Sequence, residues 1–299
     1  MRDATRVLVT SPCPSKWGGQ SALADAGIVT ALRNFVLPLI GDTIFNLINS
    51  YIEAQHKALS ASYMGQGAGP IFLPPASGET KCLVVVRGPF GRGTTWSKPD
   101  LDEGVANLLT DIRMKALGLA GHPAFYLEVE LARYNAPGGA VSAIQATPTL
   151  FYFGETAARR IGSGSKYVYV IVSAKAETIA PQPVGDGSGE PDPPNDALLA
   201  FKLGNVEIGS AVYPAPGALE IENPMLEQRV VIAAESAEDA AKPYNLFAQV
   251  VETEDPSAFE KALYDAYNTE GNKKNLRTAI GTIIDAIAPK KKEGDKPAP

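Results

Sequence analysis

Phe125-Tyr126-Leu127-Glu128-Val129-Glu130-Leu131 decides how the fold is read. Phe125, Leu127, Val129 and Leu131 fall on one face of an extended chain, and Tyr126, Glu128 and Glu130 on the other, the spacing of a half-buried antiparallel strand. On that pattern Glu128 and Glu130 face solvent, because glutamates are rarely buried without partners.

Outward from this strand the centre of the chain stays extended. Residues 141–153 read as a second strand, broken or bulged near Pro148, whose missing N–H suits a ladder defect. Tyr167 to Val172 is apolar or aromatic on both faces, which predicts a central strand. Further strands are expected at 198–203, 206–208, 229–233 and 246–252, and an apolar one at 81–87. Between them, residues 180–196 carry five prolines and almost nothing apolar, and read as a mobile loop.

Helices are expected at both ends. Asp42 caps a helix over 42–59, whose face carries Ile44, Leu47, Ile48, Tyr51 and Ile52. Asp100 and Glu103 form a capping box for a helix over 101–118, with Leu101, Val105, Leu108, Leu109, Ile112 and Leu117 as its stripe. Asp255-Pro256 places a capping side chain before a proline at the first helical position. A second helix follows Gly271 and runs to Pro289, so that the pair forms a hairpin.

These elements predict an α+β fold: a largely antiparallel sheet or sandwich, with N-terminal helices and a C-terminal helical hairpin packed on it. The expected organisation is a helical region at 1–75, a strand-rich domain at 76–253, the hairpin at 254–289 and a basic tail at 290–299. A Gly- and Pro-rich loop is expected from Gly65 to Pro75.

The 299 residues suffice for a substantial core, and the 28 glycines and 24 prolines suit a chain of many turns. A net charge of −6 speaks against nucleic acid as a partner. Lys290, Lys291, Lys292 and Lys296 read as a solubilising tail. No signal-like segment and no run of about 18 apolar residues is evident. The expected compartment is the cytoplasm. Cys13 and Cys82 are read as free, Cys82 as a small hydrophobe within its strand.

The stretch most suggestive of chemistry is Leu83 to Thr95, where a strand opens into Gly88-x-x-x-x-Gly93. Arg87, Gly88, Gly91, Arg92, Gly93, Thr94 and Thr95 are its candidate anion-binding residues. The pattern departs from a phosphate-binding loop because Thr94 replaces the lysine and Pro99 interrupts the following helix. A nucleophilic Cys13 would need His56 or His122 beside it, and Cys13 lies between prolines, away from any helix N-terminus. Two distant histidines and two cysteines give no zinc pattern, and the acidic loop at 186–192 has Pro191 where a calcium loop needs glycine. No metal and no cofactor is expected.

The function expected on these grounds is non-enzymatic binding or assembly, through a protein partner or self-association. The aromatic strands Phe151-Tyr152-Phe153 and Tyr167-Val168-Tyr169 supply residue types that interfaces favour. The alternatives are a hydrolase or transferase with an anion site near Arg87 to Trp96, and a membrane-associating protein using the helix at 42–59. The polar face of that helix is neutral to acidic, which disfavours membrane contact.

Overall fold

A computed structural model describes residues 3–17, 48, 50, 51, 59–71, 80–91, 109–135, 142–159, 162–176, 196–212, 228–231 and 243–261. Ten strands build one mixed sheet: β1 (Asp3–Thr10), β2 (Ala61–Gly69), β3 (Lys81–Pro89), β4 (Phe125–Asn135), β5 (Ser142–Phe153), β6 (Ser165–Ala176), β7 (Asp196–Glu207), β8 (Ser210–Val212), β9 (Gln228–Val231) and β10 (Tyr244–Thr253). Nine of them follow the order β7-β6-β10-β2-β1-β3-β4-β5-β8, and β9 pairs with β5. The sheet curls until β7 comes beside β9 and β5, giving a nearly closed barrel. Only β1 and β2 pair in parallel among the described strands.

This corrects the expected α+β sandwich with terminal helices. The helical elements described are a 3-10 turn (Pro14–Lys16), α1 (Asp111–Ala116), positions 48, 50 and 51, and residues 256–261. The expected hairpin beyond residue 261, the loop at 180–195 and most of the 42–59 helix lie outside the described residues. Of the expected 101–118 helix, residues 101–108 lie outside the described residues, Leu109 and Thr110 are not helical, α1 spans Asp111–Ala116, and Ile112, expected in the buried stripe, is exposed. Among the described residues, the N-terminal segment supplies β1 and β2 to the middle of the sheet.

β2 explains much of the departure. Its sequence, Ala-Ser-Tyr-Met-Gly-Gln-Gly-Ala-Gly, carries three glycines at alternate positions, so all three share one face. That face is where β1 comes in: a Cβ on Gly67 would lie 1.7 Å from the Val7 carbonyl oxygen, and one on Gly65 2.8 Å from Thr5 Cγ2. Glycines that read as a loop are the condition for one strand to approach another this closely.

The barrel interior is filled. Val7, Val9, Leu83, Val85, Phe125, Leu127, Val129, Leu131, Phe151, Phe153 and the inward residues of β6, β7 and β10 form one cluster of buried side chains. Phe125 meets Phe151 edge-on at 5.5 Å, and Phe151 stacks with Phe153 at 6.4 Å. The inward set of β4 is the one the alternation predicts. The expected bulge in β5 is also present: Glu128 faces Leu150 while Val129 faces Pro148, leaving Thr149 as the extra residue.

A second apolar layer lies outside the barrel. Leu8, Val84, Val86, Tyr126, Leu150 and Tyr152 point outward from β1, β3, β4 and β5, and Cys13, Trp17, Met114 and Leu117 cover them. On another side, Phe259 packs against Tyr51 and Tyr169, with ring centroids 5.4 and 4.7 Å apart. The Asp255 carboxylate accepts a hydrogen bond from the Ala258 N–H at 2.9 Å and starts the 256–261 helix as its sequence predicts.

Candidate functional site

A buried polar cluster lies on the outer face of β4, under the short strap of residues 11–17. β4 ends one of its outward rows in Tyr126, Glu128 and Glu130, and the strap folds back over this row after β1. Glu128, expected in solvent, has no exposed surface. Its Oε1 accepts from the Ser15 backbone N–H at 2.9 Å and from the Tyr126 hydroxyl at 2.6 Å, and its Oε2 accepts from the Ser15 hydroxyl at 2.5 Å. Three donors satisfy a buried carboxylate that would otherwise be costly. Burial pushes its pKa up, against the lowering pull of the Ser15 and Tyr126 bonds and the Arg113 charge. Burial, then the charge of Glu128, holds the Tyr126 phenol well above its usual value.

Beside Glu128 the two cysteines form a disulfide, which corrects their reading as free thiols. The pairing follows from register: Thr10 of β1 faces Cys82 of β3, and the chain turns back through Ser11 and Pro12 to bring Cys13 over it. The two sulfurs and a Glu128 oxygen lie within 4.8 Å of one another, a grouping suited to a metal in its geometry. The disulfide removes both sulfurs as thiolate ligands and leaves neither cysteine as a nucleophile. Three further ties hold the strap. Lys16 Nζ pairs with Glu130 at 2.5 Å, Arg113 donates to the Trp17 carbonyl at 2.7 Å, and the Trp17 indole donates to the Pro12 carbonyl at 3.1 Å.

The anion-binding candidates fall elsewhere. Arg87, near the end of β3, is buried, with its guanidinium 4.4 Å from the Tyr63 ring centroid and 3.4 Å from Glu252. It also donates to the Glu155 carbonyl. Glu252 in turn accepts from Thr156 Oγ1 at 2.5 Å and the Ala157 N–H at 2.9 Å. Burial, then the Glu252 charge, raises the Tyr63 pKa well above its usual value. The charge of Arg87 is thus matched inside the fold. A Cβ on Gly88 would lie 2.9 Å from Leu119 Cδ2, and Gly91 adopts φ 138° and donates to the Gly118 carbonyl at 3.2 Å. Both glycines serve the packing of the β3 exit against 117–123. Arg92, Gly93, Thr94 and Thr95 lie outside the described residues, as does His56.

Two more ion pairs lie at β6 and β7, one on the inward-facing row of β6 and one on the outward-facing row. Lys166, fully buried, donates to Glu254 at 2.6 Å and to the Leu59 carbonyl at 2.9 Å. Lys202 and the Tyr169 hydroxyl both donate to Glu260, at 2.8 and 2.9 Å. The aromatic strands expected at an interface are largely interior: Phe151 and Phe153 fill the barrel, and Tyr169 lies under Phe259. No helix among the described residues is long and apolar enough to cross a membrane.

Sequence reasoning missed the Glu128 and disulfide cluster. Alternation marks Glu128 as outward but says nothing of a strap above it. No family model, curated protein or solved structure matches the chain.

Proposed function

We propose that the protein is a non-enzymatic assembly module whose contact element is the edge of β7 that faces the barrel seam. The observation that carries this reading is the length mismatch at the barrel seam. β7 runs for 12 residues and pairs on one side with β6, while across the seam stand β8, of three residues, and β9, of four, and both pair with β5. Most of the β7 edge therefore meets no strand of matching length among the described residues. An edge with unpaired N–H and C=O groups is a template for another strand. The occupant that fits best is β7 of a second copy, because like edges pair about a twofold axis and close the assembly.

The chemistry-bearing groups described above support a binding role over a catalytic one. Glu128, Glu252 and Lys166 each accept or donate hydrogen bonds within the chain, and Arg87 pairs with Glu252 and the Glu155 carbonyl. The cytoplasmic placement expected from the sequence sits against the Cys13–Cys82 disulfide, a bond that persists in oxidising compartments, and is no part of this proposal. The test is amide exchange as a function of protein concentration. Exchange across 196–207 is expected to slow as concentration rises, while β10, paired on both sides, does not change. Equal exchange in β7 at all concentrations would overturn the proposal.

A further inference from the structure

We propose that the Cys13–Cys82 disulfide is the covalent half of a redox latch, with the Ser15–Glu128 hydrogen bonds as its other half, and that a dithiol reductant opens it. The two halves act on the same short segment. The disulfide fixes residue 13 to β3, and Glu128 of β4 grips residue 15 through both its backbone N–H and its hydroxyl. Held this way, the strap covers the outward residues Leu8, Val84, Val86 and Tyr126.

The barrel does not depend on the strap. Cys13 and Trp17 belong to the outer apolar cluster, and the cluster filling the barrel contains no residue of 11–17. Cutting the disulfide thus removes a constraint from one layer and leaves the other packed. What then holds the strap is the buried Trp17 side chain, the Ser11 bond to the Thr80 carbonyl, a carboxylate whose charged form is disfavoured by burial, the partly exposed Lys16–Glu130 pair and the Arg113–Trp17 bond, with no covalent tie left.

The reaction balances as thiol–disulfide exchange. A thiolate of the reductant attacks one protein sulfur, the Cys13–Cys82 bond breaks, and the displaced sulfur takes a proton. The second thiol of the reductant then displaces the mixed disulfide. Two electrons and two protons pass to the protein, and the reductant leaves as its own disulfide. Both protein sulfurs are buried, so attack waits on a transient lift of the strap. A disulfide persists in oxidising compartments and is cleaved in the cytosol, which makes its state a report of the surroundings.

The test treats the full chain with dithiothreitol, alkylates the thiols, and follows amide exchange by mass spectrometry. With both thiols alkylated, exchange in residues 13–17 is expected to rise by at least about tenfold, as for a segment passing from protected to locally open. Amides of β6 and β10 stay far better protected than 13–17, any fall in their protection being the uniform one that losing the cross-link from the unfolded chain imposes. A hydrophobic fluorophore binds the newly bared face. The Cys13→Ser variant, without reductant, is expected to show the same loosened strap and separates the latch from effects of the reagent. Unchanged exchange in 13–17 after complete reduction overturns the latch. So does a collapse of protection in β6 and β10 to the level of 13–17, which would make the disulfide a condition of the whole fold. Two free thiols in protein purified under air would overturn it as well.

Discussion

Replacing Gly67 with alanine probes the contact on which the sheet order depends. The new Cβ would stand 1.7 Å from the Val7 carbonyl oxygen and 2.7 Å from its carbon, and real Cβ contacts essentially never fall below 3.0 Å. The difference, 3.0 less 1.7, is 1.3 Å, and backbone rather than a flexible side-chain tip must make the move. β1 also pairs with β3 along its whole length, so a shift of β1 away from β2 pulls against that ladder. Overpacking of this kind costs about 1–3 kcal/mol. Each ladder hydrogen bond lost between β1 and β2 adds about 1 kcal/mol. The smaller conformational freedom of alanine in the unfolded chain returns about 0.4–1 kcal/mol. The net is a loss of about 3 kcal/mol. For a chain of this size that lowers Tm by roughly 5–10 °C. Gly69→Ala is the control: its Cβ would meet Val9 side-chain atoms at 3.1 Å, which a small adjustment relieves. Urea unfolding followed by tryptophan fluorescence and circular dichroism measures both. If Gly67→Ala unfolds within about 0.5 kcal/mol of the parent, the range expected of neutral surface changes, then β1 does not lie on the glycine face of β2.

Three other perturbations follow from the buried charges and the latch. Arg87→Met leaves Glu252 without its cation in a site with no exposed surface, and should cost about 3–5 kcal/mol in the same unfolding assay. Removing the disulfide with Cys13→Ala and Cys82→Ala frees a loop spanning 69 residues of sequence separation, and chain entropy puts the loss at up to about 4 kcal/mol. Glu128 sets a pH dependence with a definite sign. Its folded pKa is raised by burial, so its contribution is fully present below the unfolded value and is lost as pH rises through the folded one. The stability of the parent relative to Glu128→Gln should therefore fall as pH climbs from the carboxylate range toward neutrality. A difference that grows with pH would mean that Glu128 is held ionised by its partners.

The strands that alternate or run apolar on both faces were legible. β4 and its inward residues, the bulge of β5 at Pro148, the central place of β6 and the Asp255 cap all follow from local patterns. β2 was not legible, because its fitness for the sheet lies in what it lacks. Three alternate glycines have no hydrophobic pattern, and only the backbone of β1 laid across them gives them meaning. Glu128 failed for a related reason. Alternation tells which way a side chain points and not what lies there, and the covering strap comes from more than a hundred residues away in sequence, as the Ser15 bond records. The disulfide is likewise a tertiary event. Nothing within Pro12-Cys13-Pro14 or Lys81-Cys82-Leu83 announces it until the β1–β3 register sets Thr10 against Cys82. Of the candidate anion site, Arg87 was correctly placed near a strand end, but its pairing with Glu252 joins residues 165 apart in sequence and has no local signature.

The measurement that bears most directly on the proposed role is the solution mass by light scattering on a sizing column, over a wide range of concentration. Assembly through the β7 edge predicts a species heavier than the 31.5 kDa chain whose share rises with concentration. A single 31.5 kDa species at every concentration would contradict it.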